Sequence, residues 1–305
     1  MLVSIACLTY NHEKFISEAL DSFLAQKTNF SIEIVVYDGG SQDGNRKVIE
    51  NYQKKYSEII KPIFPEKDPG IARSFYNLIK SCKGKYIALC EGDDYWTYAN
   101  KLQEQVELLE KENTYSLCFT LIDIVNEEGK IINKNSGIKT DLTHLDILSG
   151  GIPQMPTVVF KRTSLPETFP KEFFSASYLD HFLYALVTLA GAAKFINKST
   201  AVYRQHSLGS YSAVTIEEKI QKTIENLHLM KLVFISEKEK SAITKGISFH
   251  YQRLLFTLYT EKDWFNFRSW FKKILVFDLK NNQLTVLKAM NSILRRSIRN
   301  LYKNI

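Results

Sequence analysis

The chain has 305 residues, of which 45% are hydrophobic and 24% are charged. This composition excludes a disordered chain, and the length allows one large core with a smaller appendage, since single cores rarely exceed ~250–300 residues. The formal net charge of +7 is uneven: residues 1–215 contain 23 Lys/Arg and 25 Asp/Glu, whereas residues 216–305 contain 17 and 8. We therefore predict a main domain, 1–215, and a basic C-terminal region, 216–305, whose charge favours polyanionic partners.

Three features favour a cytoplasmic protein. The N-terminus enters an apolar segment at Leu2 without a basic flank or a cleavage site, so we expect no secretory signal. The four cysteines show no paired spacing and are expected to be small buried hydrophobic residues. The longest nearly apolar stretch, 182–193, is far shorter than the ~20 residues that span a bilayer. Any membrane contact would therefore be peripheral, on the cytoplasmic face.

The first ninety residues alternate strand and helix signals, which is typical of βαβ units that build a mostly parallel sheet. Short apolar segments predict strands at 3–8, 32–37, 59–64 and 86–90. Helical spacing predicts helices at 15–24, after the turn at 39–44, and at 71–81. Asn11 is placed to cap the first helix. This pattern predicts an α/β fold with a doubly wound sheet flanked by helices.

The pattern becomes mixed and then helical in the second part of the chain. A charged surface helix is predicted at 101–112 and a strand at 115–125. A strand at 157–161, a helix near 178–189 and a strand-like segment at 200–204 follow. From Ile216 onward apolar residues recur at helical spacing and no strand is predicted. The basic region should therefore be an all-helical appendage.

Polar turns follow three of the predicted strands, at 9–12, 38–41 and 91–96. Ligands of open α/β sheets bind beyond the carboxyl ends of the strands, so these turns predict a site at one sheet edge. Asp38 precedes two glycines that let a flat ligand approach the backbone, although an Asp that bonds its own turn explains the residue equally well. No G-x-G-x-x-G follows the first strand and no P-loop motif occurs, which disfavours dehydrogenases and P-loop enzymes.

Glu91, Asp93 and Asp94 form what we call the acidic turn, 91–94, directly after an apolar strand. Like charges this close repel one another unless a cation or a strong donor compensates. Mg²⁺ and Mn²⁺ prefer oxygen ligands and bridge carboxylates to substrate phosphates. An alternative of equal weight is that Asp93 and Asp94 only stabilise the N-terminus of the following helix.

Together these segments resemble glycosyltransferase family 2, which are inverting enzymes of the GT-A fold. The resemblance covers residues 1 to about 210 and rests on residues 3–11, 33–44, 84–96 and 201–206. It implies a hexosyl- or N-acetylhexosaminyl-transferase that uses a divalent metal, Mn²⁺ or Mg²⁺, and a nucleotide-sugar donor, with UDP as the default carrier. The implied acceptor is a hydroxyl group of a lipid-linked or surface polysaccharide intermediate.

The resemblance also implies roles for individual residues. Those that would contact the donor nucleotide are Thr9, Tyr10, Asn11, Asp38, Gly39, Arg73, Asn77 and Asp93. Asp93 and Asp94 would bind the metal, and His206 would reach the metal or the diphosphate. The family often has Asp where this chain has Glu91, so Glu91 is assigned to the substrate pocket. The other pocket residues would be Trp96, His181 and Arg204, with Arg204 offering a fork to a phosphate.

Asp180 occupies the place of the family's catalytic base. Inversion at a sugar carbon needs a group that takes the proton of the acceptor hydroxyl as it attacks. The alternative for Asp180 is an ordinary Asp in the first turn of an amphipathic helix, and Trp96 could equally pack beneath the acidic turn.

Two other functions compete with sugar transfer. A nucleotidyltransferase would also use an α/β domain and Mg²⁺, but residues 9–13 are not the glycine-rich basic loop that it would ordinarily have. A non-enzymatic module could bind a membrane or another polyanion through its basic region. No recognised nucleic-acid motif occurs, so we expect no nucleic-acid partner.

The end of the chain combines apolar and basic side chains at helical spacing. The apolar residues are Leu287, Met290, Leu294, Ile298, Leu301 and Ile305, and the basic ones on other faces are Lys288, Arg295, Arg296, Arg299 and Lys303. Such a helix can lie in an anionic membrane interface. A packed helix with a solvated basic face explains the pattern equally well.

Overall fold

The computed structural model describes residues 2–207, 209 and 214–303, with side chains described up to residue 296. Its strands are β1 Leu2–Thr9, β2 Ser31–Asp38, β3 Ile60–Ile63, β4 Tyr86–Leu89, β5 Tyr95–Trp96, β6 Tyr115–Val125, β7 Ile131–Ser136, β8 Val159–Lys161 and β9 Ala192–Arg204. Its α-helices are α1 Ile16–Leu24, α2 Asn45–Lys55, α3 Ile71–Ser81, α4 Lys101–Lys111, α5 His144–Leu148, α6 Leu179–Val187, α7 Ile216–Val233, α8 Glu237–Thr260, α9 Trp264–Asn281 and α10 Thr285–Lys303.

The strands form one sheet in the order β3-β2-β1-β4-β8-β6-β9-β5, with β7 paired to β6. Strands β1 to β4 are parallel, as expected for βαβ units. Strand β8 then joins antiparallel between β4 and β6, and β6 runs parallel to β9. The predicted α/β class with a helical C-terminal region is confirmed. The carboxyl ends of β1, β2 and β4 meet at one edge, because parallel strands end on the same side.

Hydrophobic cores cover both faces of the sheet. One contains α1 and α4, packed through residues such as Leu20 and Leu102. The other contains α3 and α6, and it extends into α7 and α8 through Leu227 and Ile247. Helices α9 and α10 add a small cluster of their own around Ile274. The C-terminal helices therefore share a core with the sheet, and the division at residue 215 stays a prediction.

The prediction that Asn11 caps α1 is wrong. The N-cap position belongs to Phe15, and Asn11 adopts the left-handed conformation with φ of 56°. Its backbone N–H donates to Ser41 Oγ at 2.8 Å, and its side-chain oxygen accepts from the Gln42 N–H at 2.8 Å. Asn11 therefore fastens the loop after β1 to the loop after β2. The prediction failed because an Asn side chain can bond a distant loop as well as a helix end.

All four cysteines are buried and free, as expected.

The sequence does not predict strands β5 and β7. Strand β5 has two residues, and β7 is exposed along its length and lacks an apolar face. No helix in the described ranges is both long and apolar enough to cross a membrane.

Gly84 precedes β4 where the backbone of β1 passes very close. A Cβ atom at this position would lie 2.5 Å from the Ser4 backbone nitrogen and 2.9 Å from the Leu2 carbonyl oxygen. We predict that Gly84→Ala lowers the free energy of unfolding by about 1–3 kcal/mol, because rigid backbone cannot yield to the added methyl group. Denaturant unfolding measures the change.

Gly39→Ala is the matched control for stability, since its Cβ would meet no atom closer than 3.6 Å. The control should shift unfolding by no more than about 0.5 kcal/mol. Equal stability of the two variants would contradict the proposed backbone clash.

Candidate active site

The three predicted turns meet at the carboxyl edge of the sheet. Thr9 and Asp38 are paired at the ends of β1 and β2, and the Gly39 N–H donates to the Thr9 carbonyl at 2.9 Å. The Gly92 N–H donates to the Leu8 carbonyl at 2.9 Å, which ties the acidic turn to β1. A Cβ at residue 92 would lie 2.6 Å from Thr9 Oγ1, so only glycine allows this approach.

Asp38 is buried and bonded to its own turn. Its Oδ1 accepts the N–H groups of Gly40 and Ser41 at 3.0 and 2.7 Å, and its Oδ2 accepts from Asn45 Nδ2 at 3.1 Å. Asn45 Oδ1 in turn accepts from Thr9 Oγ1 at 3.2 Å. This network gives the edge a fixed shape, and it agrees with the alternative in which Asp38 bonds its own turn. A contact of Asp38 with a nucleotide stays a prediction.

The other residues predicted to contact the donor lie around this network. Tyr10 is exposed beside Gly39, within 3.6 Å of a Cβ built there. Arg73, on α3, is exposed, and its guanidinium carbon lies 4.1 Å from the ring centroid of Phe174. Asn77, one turn later, donates to the Tyr37 hydroxyl at 3.5 Å. These positions leave Tyr10 and Arg73 accessible to a ligand.

Asp93 lies between two histidines. Its Oδ2 is 2.9 Å from His206 Nε2 and 3.6 Å from His12 Nε2. Its Oδ1 is buried without a hydrogen-bond partner in the part of the chain that the structure describes. The ligand atoms of His12, Asp93 and His206 all lie within 4.8 Å of one another. The sequence does not indicate His12 as a metal ligand, although His12 ends the polar turn at 9–12.

Asp94 is the deepest carboxylate of the acidic turn, with 1% of its surface exposed. Its Oδ1 accepts the backbone N–H of Arg204 at 2.9 Å. Its Oδ2 is buried, and none of the described residues donates a hydrogen bond to it. Oxygens from Glu91, Asp93 and Asp94 also lie within 4.8 Å of one another. Unbonded buried carboxylate oxygens are costly in a folded protein unless a cation or a proton satisfies them.

Charge repulsion and burial change the proton affinities of the acidic turn. Burial, followed by the charges of Asp93 and Asp180, raises the pKa of Glu91 to about 8. Burial, then Asp93 and Glu91, raises the pKa of Asp94 well above its usual value. Burial alone would raise the pKa of Asp93 too, but the hydrogen bond from His206 and the nearby His12 lower it. Asp93 therefore carries the negative charge most readily.

The Arg204 side chain is hydrogen-bonded to the backbone of the acidic turn. Its Nε donates to the Asp93 carbonyl oxygen at 3.2 Å, its Nη1 donates to the Glu127 carbonyl oxygen at 3.2 Å, and its Nη2 donates to Glu18. Its guanidinium carbon also lies 4.9 Å from the ring centroid of Phe15. These contacts favour a positioning role for Arg204 over the predicted fork to a phosphate.

Trp96 and His181, predicted for the substrate pocket, are both buried. The indole N–H of Trp96 donates to the Pro156 carbonyl at 2.8 Å, and its ring packs on Phe23 beneath the acidic turn. His181 Nε2 lies 2.8 Å from the Ile147 carbonyl oxygen in the core between α5 and α6. Their packing favours structural roles, as the alternative for Trp96 had held.

Asp180 lies in the first turn of α6, half-buried, on the side of the acidic turn. Its charge contributes to the raised pKa of Glu91, and burial followed by the charges of Asp180 and Glu91 raises the pKa of Tyr184. Burial also raises the pKa of Asp180 itself to about 6. A carboxyl group with this pKa is ionised near neutral pH and retains some basicity.

Solved glycosyltransferases have this fold. Staphylococcus aureus TarS, crystallised with UDP, aligns with a TM-score of 0.56 and 20% identity over 82% of this chain and 72% of the TarS chain. The mannosyltransferase PcManGT of Pyrobaculum calidifontis, in complex with GDP-Man and Mn²⁺, aligns with a TM-score of 0.63 and 14% identity over 99% of this chain and 82% of its own. The chain therefore has the GT-A fold.

Sequence comparison identifies the family. The model of glycosyl transferase family 2 matches residues 4–168, and the chain belongs to this family. An uncharacterized protein of Mycobacterium tuberculosis is 30% identical over 81% of this chain and 72% of its own length. The putative teichuronic acid biosynthesis glycosyltransferase TuaG of Bacillus subtilis is 26% identical over 81% of this chain and 98% of its own. The chain is therefore a glycosyltransferase, as its resemblance had implied.

The raised pKa of Asp94 predicts a conflict between stability and ligand binding. Without metal at neutral pH, Asp94→Asn should raise the melting temperature by about 2 °C or more, because burial and two neighbouring carboxyl groups make the folded protein take up a proton at Asp94 that the unfolded chain releases, and Asn is neutral without that proton. The same variant should lose the stabilisation that Mn²⁺ and UDP together give to the parent protein. Differential scanning fluorimetry measures both effects.

Glu107→Gln is the matched control, since it removes a negative charge from the exposed face of α4. It should leave both melting temperatures unchanged. A metal response retained by Asp94→Asn would remove Asp94 from the metal site.

Proposed function

We propose that this glycosyltransferase moves a sugar, with inversion, from a nucleoside-diphosphate sugar to a hydroxyl group of a lipid-linked or surface polysaccharide intermediate. The observation that carries the proposal is a pair of buried carboxylate oxygens at the sheet edge, Asp93 Oδ1 and Asp94 Oδ2, to which none of the described residues donates a hydrogen bond. TarS binds UDP and UDP-GlcNAc, which supports UDP as the carrier, and the name of TuaG supports a surface polysaccharide. The transferred group would be a hexosyl or N-acetylhexosaminyl residue.

The side chains at this edge fit a divalent metal ion. Carboxylate oxygens suit Mn²⁺ and Mg²⁺, and imidazole nitrogen is a further ligand that proteins supply to metals. Asp93, Asp94 and His206 would hold the ion, and His12 is added to this set by its distance from Asp93. When bound, the ion would neutralise the charge that develops on the departing nucleoside diphosphate. PcManGT, which has the same fold, was solved with Mn²⁺.

Asp180 would act as the catalytic base. The acceptor oxygen forms its bond to the anomeric carbon while the bond between that carbon and the diphosphate oxygen breaks, and the hydroxyl proton passes to the Asp180 carboxylate. The raised pKa of about 6 suits this task, since the group is ionised at neutral pH. The charge of Asp180 contributes to the raised pKa of Glu91, which supports placing the base close to the acidic turn.

The family assignment removes the two competing functions. A nucleotidyltransferase and a non-enzymatic polyanion-binding module both fail to explain a chain that matches a glycosyltransferase family over residues 4–168. The sugar, the carrier and the acceptor remain part of the proposal, as does the cytoplasmic location.

Donor use can be tested without knowing the acceptor. In a panel of UDP- and GDP-sugars, we expect slow hydrolysis of one or a few UDP-sugars, because water can replace the acceptor. Hydrolysis should be at least about tenfold faster with Mn²⁺ or Mg²⁺ than with EDTA, because the metal stabilises the departing nucleoside diphosphate. Capillary electrophoresis of released nucleotide measures the rate. Hydrolysis of GDP-sugars alone would replace UDP as the carrier, and no metal-dependent hydrolysis of any donor would contradict the proposal.

Asp180→Asn should separate binding from transfer. We expect donor binding by calorimetry within about twofold of the parent, while turnover falls by about 10²–10⁴, the range for general base catalysis. For the parent, kcat should fall as the pH drops through about 6, because protonation of Asp180 removes the base.

Glu172→Gln, a change at another carboxyl group shortly before α6, is the control and should keep the parent rate and pH profile. Turnover retained by Asp180→Asn would refute the base assignment, whereas loss of donor binding would indicate a structural role.

A further inference from the structure

Helix α9 presents large apolar side chains to the outside of the protein. Phe265 is 85% exposed and Leu279 is 79% exposed, and Leu275 and Val276 are about half exposed. A helix that packs on a globular domain normally turns its apolar stripe inward. Here Ile274 is buried at the inner face, so α9 is apolar on both sides. The outward side is the one that needs an explanation.

Positive charges are interleaved with these apolar side chains. At 100° per residue, Arg268 and Lys272 lie on the same side of α9 as Phe265, Val276 and Leu279, and both are exposed. We call this outward side of α9 the apolar-basic face.

Acidic side chains are excluded from the apolar-basic face. Residues 264–305 contain nine Lys/Arg and one acidic residue, Asp278. Asp278 is buried, and its carboxylate accepts the backbone N–H groups of Thr285 at 3.0 Å and Val286 at 2.9 Å. The Asp278 carboxylate therefore binds the first backbone N–H groups of α10. The apolar-basic face carries no compensating negative charge of its own.

Helix α10 repeats this arrangement. Its inner face is buried at Ala289 and Ile293, whereas Leu287, Met290 and Leu294 are 56%, 42% and 58% exposed. The predicted apolar stripe therefore points outward where its side chains are described, while Ala289 and Ile293 pack the opposite face of α10 on the protein. The rest of the predicted pattern, Ile298, Arg299, Leu301, Lys303 and Ile305, lies outside the described side chains.

We propose that the apolar-basic face of α9, with the exposed stripe of α10, binds the surface of an anionic phospholipid bilayer. Acyl chains would accept Phe265 and Leu279, while Arg268 and Lys272 would reach the phosphate headgroups through their long stems. A second copy of this chain is disfavoured, because a symmetric contact would bring like charges together. Nucleic acid would neutralise the charges but leave the apolar side chains exposed to water.

Membrane binding would bring the enzyme to a lipid-linked acceptor, and this benefit for catalysis rests on the proposed function. A lipid-linked acceptor is confined to the membrane, so an enzyme held at that surface would meet it at high local concentration. The lipid contact itself does not depend on the donor chemistry, and the two can be tested separately.

The test uses the full chain and vesicles of phosphatidylcholine with or without phosphatidylglycerol. In co-sedimentation we expect at least about tenfold stronger binding to the vesicles with phosphatidylglycerol, because each basic residue near an anionic surface contributes to the attraction. Binding should weaken at high salt. Equal or absent binding to the two kinds of vesicle would overturn the proposal.

Two double variants test the two components of the apolar-basic face. Phe265→Ser with Leu279→Ser removes apolar contacts, and Arg268→Glu with Lys272→Glu reverses two charges. Each should weaken binding to the anionic vesicles by at least about tenfold, whereas their thermal midpoints should match the parent because all four side chains are exposed.

The matched controls lie on other elements. Ile131→Ser with Ile132→Ser removes exposed apolar side chains from β7, and Lys47→Glu with Lys54→Glu makes the same charge change on α2. Controls that lose vesicle binding as strongly as the α9 variants would overturn the assignment of the face.

Two further measurements separate the remaining outcomes. A concentration-dependent dimer in size-exclusion chromatography that Phe265→Ser with Leu279→Ser abolishes would assign the face to a second copy and overturn the proposal. UDP binding with Mn²⁺ should be the same in parent and face variants. Its absence from the parent would count against the proposed function, while vesicle binding would still be judged by its own result.

Discussion

The contact of Asp93 with two imidazole rings is the interaction on which the arrangement of the site depends. Three carboxyl groups within four residues would repel one another, and burial makes the repulsion stronger. Asp93 stays ionised because His206 and His12 approach its Oδ2, whereas Glu91 and Asp94 hold their protons more tightly. The fold thus favours one negative charge at this edge, on Asp93, and raises the pKa of the two neighbouring carboxyl groups.

Strand β9 and the residues directly after it provide most of the contacts that hold the acidic turn in place. The strand ends in Arg204, whose backbone N–H and side chain hold Asp94 and Asp93, and His206 follows two residues later. The short strand β5 follows the acidic turn and pairs with β9 through Tyr95 and Val202. Segments more than one hundred residues apart are thereby joined at the point where charge is concentrated. The sheet edge is consequently cross-linked by hydrogen bonds between distant segments of the chain.

The sequence predicts those parts of this arrangement that local patterns determine. The βαβ units were predictable because short apolar strands alternate with amphipathic helices, and the acidic turn was recognisable from its composition alone. The β5–β9 pairing was not, because two residues carry no periodicity. Trp96 and His181 show the same limit: nothing in their neighbours indicates that one bonds Pro156 and the other Ile147. His12 has a weak local signal, and only the fold brings it to Asp93.

The C-terminal helices differ in what they do for the site. Asn226 on α7 is buried, accepts the Tyr178 N–H at 3.4 Å and donates to the Tyr178 carbonyl at 3.3 Å. Tyr178 is the N-cap residue of α6, two positions before Asp180, so α7 helps to fix where the proposed base lies. Helices α9 and α10 instead pack mainly on α8 and around Ile274. They therefore bear less on the position of Asp180 than α7 does, because Asn226 of α7 is hydrogen-bonded to Tyr178 directly.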